Sequence, residues 1–188
     1  MARVLAQKLS QTWGHQVVID NRSGAGGSSH LALELFKMLA GVDILHVAYK
    51  GAAPAIADII GGQVTLIFTT PVTAQPLIQA GKLKTIAVAG KKRLQLYPDV
   101  PTTEEQGLPG FDVIIWFGAS VPARTPRPIV LKLNRDLQQV LQSLEVRERF
   151  AALGLEPEGG GAERFTALIK EDTERWRKVV KAANVRTE

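Results

Sequence analysis

The sequence predicts an α/β fold with a largely parallel sheet. Between residues 28 and 90, segments of helical apolar period alternate with short β-branched apolar runs, and the connections are brief. That alternation is the signature of strand–helix–strand units. The composition supports a buried core: 45% of the 188 residues are hydrophobic and 22% are charged, with no long polar tract,.

The elements follow in chain order. Val4, Leu5, Leu9 and Trp13 share one face of a helix over residues 1–13, which Gly14 ends,. Val17-Val18-Ile19 is a short β-branched strand, followed by loop chemistry from Asn21 to Ser29,. Leu31, Leu35, Met38 and Leu39 form the stripe of a helix over 30–39. Strands are expected at 44–49, 64–68 and 83–88, centred near Val47, Ile67 and Ile86, with helices at 52–60 and 72–79 between them. Pro54 is tolerated in the first turn of its helix,. Residues 90–111 are loop-rich, with a short helix at 102–106 whose Thr102 and Glu105 have capping-box spacing,. A long strand is expected at 112–121, then helices at 127–142, 145–153 and 162–183.

Several function classes are excluded by composition. The chain has no cysteine, so a thiolate metal site and a cysteine nucleophile are ruled out,. Its three histidines, His15, His30 and His46, are scattered, and no metal cluster is readable,. Net charge is +5, yet acidic residues interleave the basic ones, as in 170–175. A nucleic-acid face is more single-signed, so no nucleic acid is expected as a partner. No apolar stretch approaches the roughly 20 residues that span a bilayer. Charges at Arg3 and Lys8 fall where an export signal needs an apolar run, so the chain as written is expected to remain in the cytoplasm,.

The polar turns suit reversible anion binding. Gly24-Ala25-Gly26-Gly27 lacks the lysine of a phosphate loop and the third glycine of a dinucleotide loop,. Gly27, Ser28 and Ser29 instead open a helix, where free N–H groups and the positive dipole end stabilise a carboxylate,. A serine there also fits a plain N-cap, and both readings stand. His30 follows as a candidate donor, although adjacent residues on a helix cannot form a catalytic dyad,. Tyr49, Lys50 and Gly51, and then Thr69 and Thr70, sit at the ends of predicted strands entering helices, where α/β sheets bind ligands,. Each of these turns also admits a bland loop reading. No nucleophile with a base and an orienting carboxylate is present, so the expectation is a non-enzyme without cofactors.

These residues also carry a resemblance. Val18–Gly27, Ser29–Phe36, His46–Gly51, Asp58–Val64, Ala80–Lys84, Pro98–Thr102, Gly107–Phe111 and Trp116–Gly118 occur in an order similar to that of the TctC-like, or Bug, receptors of tripartite tricarboxylate transporters. Ser23 stands where that family usually has proline. The resemblance implies a periplasmic-binding-protein-like fold of two lobes, one nearly complete and the other partial. It implies a solute receptor that clamps a small carboxylate and feeds the transporter's membrane components, in the periplasm. On that alignment residues 28–111 are lobe two, and 1–27 with 112–188 are what remains of lobe one. Gly27, Ser28, Ser29 and His30 match the carboxylate loop of lobe two, and the Tyr49–Gly51 and Thr69–Thr70 turns fall on its cleft edge. Thr69 and Thr70 depart from the acidic or amide residue usual near the last turn. Met1 falls inside the family's first helix, and the Gly27–Ser28 junction joins two distant family segments. A truncated receptor with impaired binding is therefore expected; the alternatives are a non-functional remnant or a cytoplasmic ligand-sensing module.

Overall fold

Helical apolar spacing, broken by glycine, proline and serine, produces six helices among the described residues. A computed structural model describes residues 27–185. The helices are α1 (Ser28–Ala40), α2 (Ala52–Ile60), α3 (Pro71–Gln79), α4 (Arg127–Gln142), α5 (Leu144–Ala152) and α6 (Ala162–Ala182). The helix expected at 1–13, the strand at 17–19 and the loop up to Gly26 lie outside the described residues.

The chain divides into two compact units. One contains residues 27–115 and 176–185, the other residues 116–175. The core of the first unit forms on α1. Ala32, Phe36 and Ala40 lie along one face of that helix and are buried with Leu108 and Phe111. Phe36 meets Phe111 edge-on, with ring centres 5.8 Å apart, and Phe68 closes the trio at 5.6 Å from Phe111. Such tilted pairs favour the ring quadrupoles beyond simple area burial. Gly41 ends α1 in the left-handed region, at φ 63°, and its N–H bonds to Lys37 O. A side chain would be strained there, which is why glycine serves as the stop.

The second unit is built differently. Ser143 ends α4 and starts α5, its hydroxyl donating to Val140 O at 2.7 Å. Asn134 Nδ2 donates to Gly160 O at 2.8 Å. Trp116 Nε1 donates to Asp172 Oδ2 at 2.9 Å, and its ring stands at 90° to Phe165. Gly118 lies under that phenyl ring, where any side chain would collide with it. None of this unit's residues is fully buried.

The α/β expectation, and with it the sheet-based two-lobed fold, is overturned. Among the described residues there is no sheet. The sole strand-type pairing is an isolated parallel bridge between Val88 and Thr102, with Val88 N–H to Pro101 O at 2.9 Å and Thr103 N–H to Val88 O at 3.0 Å. The segments expected as strands near Val47, Ile67 and Ile86, and the one at 112–121, lie outside the helices and make no ladder. The physical reason is that apolar alternation specifies a half-buried extended chain, whereas a ladder also needs neighbouring backbones about 4.8 Å apart in register. Here Val42, Ile44, Phe68, Ala89 and Val113 pack on the α1 core, and the backbone contact between two of them is the single bond from Val113 N–H to Ala89 O at 2.8 Å. The short helix expected at 102–106 is likewise a series of turns. Its capping box nonetheless forms: Thr102 N–H donates to Glu105 Oε2 at 2.6 Å, and Glu105 N–H donates to Thr102 Oγ1 at 3.1 Å.

Two outcomes follow. Phe111→Ala removes a ring from the aromatic trio and should lower unfolding stability by about 3–5 kcal/mol in urea; a loss below about 1 kcal/mol would show that the trio is not the core. The second concerns Glu105. Its hydrogen bond with Arg93, at 2.9 Å, and then the Thr102 N–H hold its carboxyl below the usual range. A depressed value means that the contribution is present above the unfolded carboxylate range and is lost as pH falls through the folded value. NMR titration should show Glu105 protonating later in acid than free glutamate, and Arg93→Ala should raise its midpoint. An unmoved midpoint would contradict the assignment.

Candidate functional site

All the predicted site residues lie in the first unit. Gly27 is the N-cap of α1, with extended backbone and no side-chain cap. The first helical bond runs from Leu31 N–H to Gly27 O at 3.0 Å. The earlier amides of Ser28 and Ser29 therefore have no helical carbonyl to meet. Ser28 is half-buried and Ser29 is buried, so the opening of α1 is packed into the protein rather than frayed in solvent.

His30 is fixed from two sides. Its ring stacks on His46, with centres 3.9 Å apart and planes within 5°. One turn along α1, Glu34 Oε1 lies 3.8 Å from His30 Nε2 and accepts a hydrogen bond from Lys37 Nζ at 3.1 Å. Burial of Glu34 with these neighbours places a compensated carboxylate beneath the helix opening,.

The other two turns also precede helices. Gly51 caps α2 at φ 121°, in a region that disfavours side chains, and Lys50 beside it is exposed,. Tyr49 turns its hydroxyl to Asp58, one face of α2 away, donating to Oδ2 at 2.7 Å. Desolvation, reinforced by that hydrogen bond and the Asp58 charge, pushes Tyr49 up to about 12. Thr70 caps α3, its hydroxyl 3.1 Å from that of Thr73, while Thr69 is half-buried just before it. Thus Tyr49 and Thr70 both engage the helices that they introduce. A broad concavity of about 690 Å³ lies elsewhere, along α4 between Leu131 and Ser143, and none of the predicted site residues lines it.

Three residues that organise these turns were missed: His46, Glu34 and Asp58. The i,i+4 spacing of His30 and Glu34 was readable, but the stacking of His46 and the Tyr49–Asp58 bond join residues whose proximity depends on the chain path. Among the described residues no group of three acidic or histidine side chains is arranged to hold a metal ion, and no helix is long and apolar enough to cross a membrane.

The chain belongs to the tripartite tricarboxylate transporter receptor family, whose family model matches residues 24–185. It is 36% identical over 159 residues to the UPF0065 protein in the tcbD–tcbE intergenic region of Pseudomonas sp. strain P51, covering 84% of this chain and 47% of that protein. It is 33% identical to the UPF0065 protein in the clcB–clcD intergenic region of Pseudomonas knackmussii, covering 84% of this chain and 94% of that relative. The chain spans about half the length of most of the curated relatives it matches, as with the 47% of the strain P51 protein. Among solved structures, that of R. palustris Rpa4515 with adipate superposes with a TM-score of 0.83 at 32% identity, covering 96% of this chain and 61% of that one. The periplasmic binding protein BugD gives 0.80 at 35% identity, covering 97% and 61%. The family is one of transport receptors, not of enzymes.

The Tyr49 geometry is testable by alkaline titration. The chain has two tyrosines, and burial raises Tyr97 as well, so neither should ionise at the ordinary value near ~10,. Tyr49→Phe should remove the component at about 12. Because the folded value is raised, the associated stability is present below the unfolded value and is lost as pH rises through the folded one. An Asp58→Asn variant should titrate earlier at Tyr49; an unchanged midpoint would break the proposed pairing.

Proposed function

We propose that this chain carries a carboxylate-binding part of a periplasmic solute receptor that feeds the membrane components of a tripartite tricarboxylate transporter. The observation that carries the reading is the family match over residues 24–185. The helix opening supports it: the Ser28 and Ser29 amides and the dipole end of α1 favour a carboxylate without a cationic side chain,. In this reading Gly27, Ser28, Ser29 and His30 surround one carboxylate, and the turns at Tyr49, Lys50 and Gly51 and at Thr69 and Thr70 shape its neighbourhood. Residues 28–111 act as the ligand-holding lobe.

Because the adipate-bound relative is a dicarboxylate complex, dicarboxylates are the class to test first. A binding cleft gains affinity by enclosing its ligand, and a chain that spans 61% of that relative supplies part of such an enclosure,. Weak binding is expected, with a Kd well above ~1 µM in calorimetry against adipate and related di- and tricarboxylates. Ser29→Pro deletes one of the two amides at a position where a first helical turn accepts proline, and it should abolish the heat while circular dichroism stays unchanged. The milder Ser29→Ala keeps the amide and should bind almost as the parent does. Equal binding by a folded Ser29→Pro variant would eliminate the site, and no heat for any carboxylate at millimolar concentration would sink the function.

A further inference from the structure

Titratable side chains gather just inside the opening of α1. His30 and Glu34 lie one turn apart on that helix and keep 11% and 10% of their side-chain surface exposed. His46, from the segment between α1 and α2, lays its ring flat on that of His30, with centres 3.9 Å apart and planes within 5°. Glu34 faces His30 from α1, with Oε1 at 3.8 Å from Nε2, and Lys37 Nζ donates to that same oxygen at 3.1 Å. A charge so enclosed is costly unless an opposite charge compensates it.

The stack limits how much charge the two rings can carry. Two imidazolium rings in parallel contact repel one another, and the enclosure of His30 limits screening by water,. The pair therefore accepts one proton far more readily than a second, and that proton belongs to the pair rather than to either ring. In the empty site two influences oppose even the first proton. The positive dipole end of α1 lies within a turn of His30,, and Lys37 offsets the charge of Glu34. An anion at the opening reverses that balance. We infer that a carboxylate bound at the opening of α1 is taken up together with one proton, which the His30–His46 stack holds. This linkage rests on the carboxylate site proposed above and regulates it. Anion binding favours the protonated stack, so affinity is highest in mild acid and falls as pH rises through the histidine range. Glu34 is a positioning residue in this scheme: its charge acts on the ligand through the His30 ring.

Calorimetry of adipate binding in PIPES, MOPS and imidazole measures the linkage, because the slope of heat against buffer ionisation enthalpy counts the protons taken up. Between about pH 6.5 and 8, where adipate is ionised, the slope should reach a maximum of about one half to one proton. Affinity should fall roughly three- to tenfold per pH unit across that maximum. His30→Gln should bind more weakly, with a slope near zero. Glu34→Gln should move the maximum to lower pH. Adipate heat without a proton slope, a slope well above one, a slope that persists in a folded His30→Gln chain, or a maximum unmoved in Glu34→Gln would overturn the proposal and leave the carboxylate site standing. No heat in any buffer at millimolar adipate would remove the site itself, and the linkage with it.

Discussion

Burial of one face of α1 is the constraint on which the first unit depends. Phe36 and Ala40 enter the aromatic core at one end of that face, and Ser29 and His30 are buried at the other. Leu33 between them is fully enclosed. A helix anchored along its whole length cannot fray, so its opening amides keep a fixed direction. The same burial that secures the core therefore prepares the only predicted site that relies on backbone donors. The His30–His46 stack and the buried Glu34 extend that order to the side chains around the opening.

The segments between the helices pack on α1 and meet one another only through single backbone bonds such as Val113 N–H to Ala89 O at 2.8 Å. Ile44, Phe68, Ala89 and Val113 reach the core by side chain, while their backbones form no ladder. This explains what was legible in the sequence. The helix bounds at Ala52–Ile60 and Arg127–Gln142 follow from local spacing, with Gly51 and Gly61 at the ends of the first and Pro126 and Ser143 at the ends of the second. The reciprocal bonds of Thr102 and Glu105 were legible too, because both partners sit within one turn. The sheet was misread because Val47, Ile67 and Ile86 obey a strand's alternation, and alternation reports burial of a face without reporting who pairs with the backbone. The candidate turns add contacts that local spacing did not reveal. Tyr49 and Thr70 were read as facing a ligand, and the partners recorded for their hydroxyls, Asp58 and Thr73, belong to the helices that follow.

The second unit shows what amphipathic helices do without a common core. Its residues are at best half-buried, and specific polar contacts such as Trp116–Asp172 and Asn134–Gly160 give it definition. Burial thus concentrates in the first of the two units.

The central claim is that the opening of α1 holds a carboxylate. A crystal structure of the chain soaked with adipate tests it most directly. The account predicts a carboxylate oxygen at roughly 2.7–3.2 Å from the backbone nitrogens of Ser28 or Ser29, beside the His30 ring. Adipate bound instead in the α4 concavity, with the α1 opening closed by protein groups, would contradict it.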